Sequence, residues 1–364
     1  MHRFLYYKLY FAFKGGIALI IKEDYKYSNM RIGYKENIMK IVISDYPYIM
    51  DRDLGYEISI LKRIKDAEVV IYEYTGNKEE FISVIEDADS IITAYIKLDK
   101  EVLSRAKNLK VISINATGYN IVDLEEAKKR NIAVCALDEY CTEEVADHTM
   151  ALILALARGL KYYEKEIEEK RVWKYYSIGS LKRLSGLKLG IFGFGKIGKA
   201  VAKRAQIFGI NILVFNHHIS KEEADKLGVK LSDEDFIYEN ADIISNHMSQ
   251  NSSNTDFFSI DKFKKMKRKP IFINVGRGDA VIEDDLAYAL DNNLISGAGL
   301  DVLKGEGQDL ENNKLLNRGN VIITPHAAFY SEDSIKDLQR ISCENVVYYL
   351  TGQVDKVCKI ITPY

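Results

Sequence analysis

Leu187-Lys188-Leu189-Gly190-Ile191-Phe192-Gly193-Phe194-Gly195-Lys196-Ile197-Gly198 runs from an apolar, β-forming segment directly into three spaced glycines, and an alanine-containing helical pattern follows over 196–208. The order reads as strand, tight turn, helix. Gly193 lets the chain turn sharply, Gly195 lets backbone N–H groups approach a pyrophosphate, and Gly198 lets the helix pack on the strand. The helix then directs its positive N-terminal end at the phosphates. Three glycines alone can be a purely structural turn; between this strand and this helix they read as a dinucleotide-binding turn.

Outward from the turn, β-branched runs alternate with charge-patterned helical ones, the pattern of an α/β protein with parallel sheets. Upstream, strands are expected at 41–44, 69–72, 90–94, 111–115 and 133–136, with helices at 56–65, 78–85, 100–105 and 124–130. Around the turn, a second series is expected at 187–192, 211–215, 242–247, 271–275, 297–302 and 321–324. Between the two series a long helix begins near Thr142, read as its N-cap, with Glu143 and Glu144 in the first turn. Its apolar Met150, Leu152, Ile153, Leu154 and Leu156 exceed one stripe, so it should be buried on several sides between two domains. A last helix over 331–350 is placed to cross back to the first unit. Low-complexity linkers are absent and only four prolines occur, which suits two α/β domains joined by structured elements around a hinged cleft.

The 364 residues suffice for about two domains. Hydrophobic residues at 47% and charged residues at 29% describe a globular chain, and a net charge of −2 gives no reason to expect nucleic acid or an anionic membrane as partner. The four cysteines, Cys135, Cys141, Cys343 and Cys358, lack metal-ligand spacing, and no metal is expected; a reducing cytoplasm is the expected setting. Residues 4–21 are apolar and aromatic, but Lys8 and Lys14 interrupt them, so they fall short of the roughly 18–20 apolar residues of a span.

Three polar residues follow strands downstream of the turn. Arg277 ends the buried run 271–275 between two glycines, where a guanidinium can clamp a carboxylate and donate to a carbonyl. Glu306 follows the run 297–302, and His326 follows 321–324. A lone arginine is more often a surface ion-pair partner, a lone glutamate a solvated loop acid and a lone histidine structural. Three of them after successive strands of one sheet read instead as a cation, a tuning carboxylate and an imidazole acid/base. This is the equipment for reducing a 2-oxo acid with hydride from a nicotinamide. His148, on the long helix, reads as a satisfied core histidine, and His247 as structural. The acid that should hold the adenosine ribose is replaced by Asn216, followed by His217, His218 and, soon after, Lys221. Asn216 can bond ribose hydroxyls, or the basic neighbours can admit a 2′-phosphate, so NAD and NADP both stay open.

From Met39 onward the chain resembles the D-isomer-specific 2-hydroxyacid dehydrogenases. The resemblance rests on Ala116-Thr117-Gly118-Tyr119-Asn120-Ile121-Val122-Asp123-Leu124, Val145-Ala146-Asp147-His148-Thr149, the glycine turn, Asn274-Val275-Gly276-Arg277-Gly278, Gly299-Leu300-Asp301-Val302 and Thr324-Pro325-His326. It implies two doubly wound, Rossmann-like domains with a cleft between them. The substrate domain would comprise 39–145 plus 326–364, and the nucleotide domain, 146–325, would be inserted into it. It also implies catalysis by Arg277, Glu306 and His326, and substrate binding by Thr117, Gly118 and Arg277. Thr117, Gly193, Gly195, Lys196, Ile197, Gly198, Asn216, Val275, Gly276, Arg277 and Asp301 would contact the cofactor, Asp301 accepting from the nicotinamide carboxamide. A homodimer is the family expectation. Departures are Asn216, and Gly307, Asp138 and Ser249 at places where prolines are frequent; none removes a reacting group. Residues 327–331 look like D-lactate dehydrogenases and C-terminal binding protein corepressors, whereas 116–124 look more like glycerate or hydroxypyruvate enzymes. An NAD(H)-sensing scaffold is therefore the alternative to an enzyme, with hydride chemistry on formate or phosphite third. Tyr330, Tyr46 and Tyr48 either shape the substrate pocket or pack.

Residues 1–38 read unlike the rest, whereas 39–45 open a domain as a first strand. Met39 is the expected natural start, with the preceding stretch upstream or dispensable. N-terminal sequencing of the native protein should begin at Met39; residues before it would refute this.

Overall fold

The computed structural model describes residues 38–216, 219–251, 253–307 and 310–362, without the Glu306 side chain. The stretch 1–37, His217 and His218 lie outside the described residues. The chain divides into Met1–Ile38 and Met39–Tyr364, and the second unit carries every strand and helix named below.

Its strands are β1 (Lys40–Asp45), β2 (Glu68–Glu73), β3 (Ser90–Thr93), β4 (Val111–Ile114), β5 (Ala133–Cys135), β6 (Lys188–Phe192), β7 (Asn211–Phe215), β8 (Lys230–Leu231), β9 (Ile243–Asn246), β10 (Ile271–Asn274), β11 (Gly297–Leu300), β12 (Val321–Ile323) and β13 (Ile360–Thr362). They form two sheets, ordered β13-β5-β4-β3-β1-β2 and β12-β11-β10-β9-β6-β7-β8. All pairs are parallel except β13 with β5. The expected strands all form. β8 and β13 are additions, too short to show a period of two.

Both sheets are doubly wound, and apolar clusters cover both faces of each. In the second sheet the winding reverses between β6 and β9, the place where such sheets open a crevice beyond the carboxyl ends of their strands. The glycine turn leaves β6 there.

Two passages of chain connect the sheets. The first is the helix Thr142–Ala157, which packs on the helix Lys196–Ile207 and on β10 and β11. Between Thr149 and Ala157 only Ala151 is exposed, so the helix is enclosed on most sides. Its N-cap is Cys141 rather than Thr142, with no side-chain cap bond. Cys141 is buried in the second sheet's core, which fixes the chain's entry one residue early and leaves Thr142 at the first helical position. The second passage returns after β12 into the helix Glu332–Leu350. Ser331 caps it in a reciprocal box with Ser334 and also donates to Glu144 Oε1 at 2.8 Å. This helix lies on the first sheet, where Ser113 Oγ donates to the Ser342 carbonyl at 2.8 Å and Cys343, Val346 and Val347 join the core of β1, β3 and β4.

Asp242, just before β9, ties down the amino ends of β6 and β9. Its carboxylate accepts from Lys182 Nζ (3.0 Å), Arg268 Nε (3.0 Å) and Nη2 (2.8 Å), and the Lys188 backbone N–H (3.1 Å). Burial alone would raise this carboxyl, but the hydrogen bonds from Arg268, Lys182 and Lys188 outweigh it and hold it below the usual range. A depressed carboxylate stabilises the fold above its unfolded value and loses that contribution as pH falls through the folded one. Asp242→Asn is therefore expected to cost about 1–3 kcal/mol near neutrality. In urea unfolding, the gap to the parent protein should close as pH drops below about 4.

Candidate active site

The sequence-selected residues lie along the carboxyl edge of the second sheet, in strand order. Gly193 follows β6 with φ +90°, and a Cβ there would lie 2.7 Å from the His247 carbonyl carbon and oxygen and the Met248 nitrogen at the end of β9. A Cβ on Gly198 would lie 2.4 Å from the Gly193 carbonyl oxygen. The first helical turn thus sits directly on the glycine turn. At Gly195, the N-cap of the helix Lys196–Ile207, a Cβ would meet nothing within 4 Å. No side chain caps this helix. Open space above uncapped backbone N–H groups is what a pyrophosphate needs. Asn216 follows β7 beside the turn, where Gly193 N–H donates to the Phe215 carbonyl at 3.2 Å.

At the ends of β9 and β10, two buried asparagines build the neighbouring loop. Asn246 Nδ2 donates to Asn274 Oδ1 at 3.0 Å; that oxygen also accepts Gly276 N–H at 3.1 Å, and Asn274 Nδ2 donates to the Arg277 carbonyl at 3.0 Å. Val275, Gly276 and Arg277 are presented by this pair. Sequence reading places Asn274 only as strand; its signal is an amide in a buried apolar run, which must find partners. The Arg277 guanidinium donates from Nη1 to the Gly276 carbonyl at 2.8 Å. Its Nη2 lies 3.2 Å from where a Cβ on Gly118 would be. Gly118 and the exposed Thr117 leave β4 of the first sheet, so the carboxyl edges of both sheets meet at this arginine.

Asp301, at the end of β11, is 1% exposed. Its Oδ1 accepts Thr324 Oγ1 (2.6 Å) and Ala327 N–H (2.8 Å), its Oδ2 accepts Ala328 N–H (3.0 Å), and its backbone carbonyl accepts His326 N–H (2.8 Å). The carboxylate is bonded to the loop after β12. It fixes that loop around His326, which has φ +51° and whose ring meets Phe329 edge-on at 5.9 Å. A histidine in the left-handed region is uncommon, and these bonds hold it there. Glu306 lies in a short 3-10 turn (Lys304–Gly307) after β11, its side chain outside the described residues.

His148 differs from its reading as a core histidine. It is half-buried, with Nε2 2.9 Å from Thr324 Oγ1 and 3.6 Å from Asp301 Oδ1. Thr324 gives its only hydroxyl proton to Asp301, so His148 Nε2 must be the donor to Thr324. The histidine therefore belongs to the His326 loop. His247 does read as structural: Nε2 is 2.8 Å from Ser245 Oγ, Nδ1 is enclosed without a partner, and enclosure pushes the ring down to about 3.

Tyr140 escapes a reading of the sequence. It lies half-buried before the helix Thr142–Ala157, with its ring 6.4 Å from that of Phe329. Burial pushes its hydroxyl far above the ordinary value, Cys141 and Tyr95 add to this, and the Arg277 cation opposes it. A tyrosine preceding a helix carries no sequence signal of nearness to an arginine 137 positions later. Tyr46 and Tyr48 stack on each other at 6.0 Å, and Tyr46 meets Tyr74 edge-on at 5.3 Å, a packing cluster beside β1. Tyr330 is 69% exposed, beside Phe329.

Residues 150–328 match the family model of the D-isomer specific 2-hydroxyacid dehydrogenase, NAD binding domain, and the chain belongs to that family. It is a D-2-hydroxyacid dehydrogenase, an oxidoreductase that uses a nicotinamide cofactor and acts on small 2-oxo or 2-hydroxy acids. Over 325 residues it is 30% identical to a hydroxypyruvate reductase of Blautia hydrogenotrophica, covering 86% of this chain and 98% of that one. A crystal structure of D-lactate dehydrogenase from Aquifex aeolicus, complexed with NAD and lactic acid, has a TM-score of 0.79 at 27% identity and covers 89% of this chain and 100% of that one. An acyclic imino acid reductase in complex with NADPH and D-Arg has a TM-score of 0.77 at 26% identity, with the same coverage.

The bonds around Asp301 can be tested. In Asp301→Asn the amide nitrogen must face a backbone N–H, of Ala327 or of Ala328, and that donor is left unpaired at a cost of about 1–3 kcal/mol. Lower thermal stability and a lower kcat should appear together, measured by calorimetry and steady-state kinetics. A variant of unchanged stability would show that the carboxylate does not hold the loop.

Proposed function

We propose that the chain interconverts a small 2-oxo acid and its D-2-hydroxy acid with His326 as acid/base, the substrate held by Arg277 and by the backbone around Thr117 and Gly118. The carrying observation is the approach of Gly118 to Arg277 Nη2, which sets a guanidinium from the second sheet beside the backbone of the first. The nicotinamide, when bound, gives or takes the hydride at the 2-carbon. Gly193, Gly195, Lys196, Ile197 and Gly198 would hold the pyrophosphate, Asn216 the ribose, and Val275 and Gly276 the nicotinamide half, in a nucleotide domain of 146–325. Residues 39–145 and 326–364 would form the substrate domain.

In the reducing direction His326 donates a proton to the carbonyl oxygen, and in the oxidising direction it takes the hydroxyl proton. Glu306 would favour the protonated imidazole. Arg277 grips the carboxylate in a two-pronged pair and donates to the carbonyl oxygen. Asp301 and His148 act through the loop that carries His326. Tyr140 would close the pocket on the substrate's side-chain end.

NADH is the proposed cofactor, with NADPH accepted because Asn216 lacks the charge that repels a 2′-phosphate. A homodimer fits the exposed Trp173 (87%), Tyr175 (86%) and Tyr176 (62%) on one segment, which would be covered in an assembly. Cytoplasmic residence fits four unpaired cysteines, three of them buried.

Purified protein should oxidise NADH with one or more of glyoxylate, hydroxypyruvate, pyruvate, 2-oxoisocaproate and phenylpyruvate. His326→Ala should lower kcat by about 10²–10⁴-fold while retaining NADH binding. Asn216→Asp should depress kcat/KM for NADPH more than for NADH. Tight dinucleotide binding with no turnover of any acid would favour the sensing scaffold instead.

A further inference from the structure

Lys196, the side chain that the glycine turn offers to a dinucleotide, is already engaged. Its Nζ lies 2.6 Å from Asp138 Oδ2 and 2.9 Å from Glu139 Oε2. Both acids lie on the segment leaving β5, so the bridges cross from the first sheet's edge to the second's. One cation against two carboxylates leaves net negative charge beside the open space over Gly195. The side chains are each about half exposed (48%, 49% and 54%), so these ion pairs exchange readily with solvent or a competing anion. Further along the same helix Arg204 makes a second two-acid bridge, to Asp147 (2.6 Å) and Glu143 (2.6 Å). That bridge lies two turns from the cleft and keeps the helix docked on Thr142–Ala157 whatever Lys196 does.

We propose that Asp138 and Glu139 are counter-ions that Lys196 exchanges for the pyrophosphate of the dinucleotide, so that this acid pair sets how tightly the cofactor is held and how fast it leaves. The proposal rests on the reading of the glycine turn as the pyrophosphate site. In the free protein the two bridges must be given up before Lys196 can serve the phosphates. In the bound protein the released carboxylates stand near like charge, with Lys359, which already acts on Asp138, offsetting part of it. Both effects weaken binding, and a bound state weakened in this way shows it mainly in the dissociation rate. The acids thus favour turnover in an enzyme limited by release of its dinucleotide.

The test is titration of NADH by its fluorescence, with stopped-flow displacement for the dissociation rate, in four proteins: parent, Asp138→Asn/Glu139→Gln, Lys196→Met, and all three changes combined. Neutralising the acids should tighten NADH binding by about threefold to tenfold and slow its dissociation by a similar factor. In the Lys196→Met background the same neutralisation should tighten binding by a clearly smaller factor, because only the like-charge effect is left and no cation remains to exchange. Unchanged affinity in the parent background, or full tightening without Lys196, would overturn the exchange. A parent protein that binds no NADH would overturn the pyrophosphate reading itself, and the proposal with it. Coincident thermal unfolding of the four proteins separates all of this from misfolding.

Discussion

The missing side chain of Gly193 is the constraint on which the nucleotide half of the cleft depends. The end of β9 passes 2.7 Å from where a Cβ would stand, so β6 and β9 can lie side by side at the reversal of the sheet while the chain still turns between them. The first helical turn can then sit on the glycine carbonyl, and its N–H groups face open space. Asp242 fixes the opposite ends of the same two strands. The crevice is therefore held from both ends by bonds outside the reacting centre, which leaves the cleft side free for ligands.

The half of the site around Arg277 and His326 is built differently. Arg277 and His326 follow strands, but both sit on short loops that strand geometry alone does not fix. A buried amide pair, Asn246 and Asn274, positions one loop, and the Asp301 carboxylate positions the other. In each case one side chain at a strand end satisfies several backbone groups of the next connection. This gives rigidity without burying Arg277 and His326 themselves, which stay partly exposed.

Most of the parallel strands are legible because strands buried on both faces read as continuous apolar runs; the edge strand β2 reads as one through its β-branched residues although it is only partly covered. β8 and β13, with two and three residues, offer no run to read. The places of Arg277, Glu306 and His326 after strands are legible from the apolar runs before them, and the glycine turn from its spacing. Partners that meet only through folding stay hidden. Nothing near His148 in sequence points to Thr324, nothing near Lys196 points to Asp138, and Tyr140 approaches Arg277 only because the two sheets face each other. Local rules favour Thr142 as a helix cap. The burial of Cys141, a tertiary effect, moves the helix start by one residue.

The hydrogen bond between Ser331 and Glu144 has a mechanical consequence. The chain passes between the sheets twice, outward through the start of the helix Thr142–Ala157 and back through the segment before Glu332–Leu350. That bond fastens the two passages together. Both crossings are thus tied at one place, so a movement of one sheet relative to the other has to bend the chain near that tie. His326 lies only five residues from that tie along the chain, so the loop that carries it sits at the joint between the two sheets, whereas Gly118 reaches it from the far side of that joint.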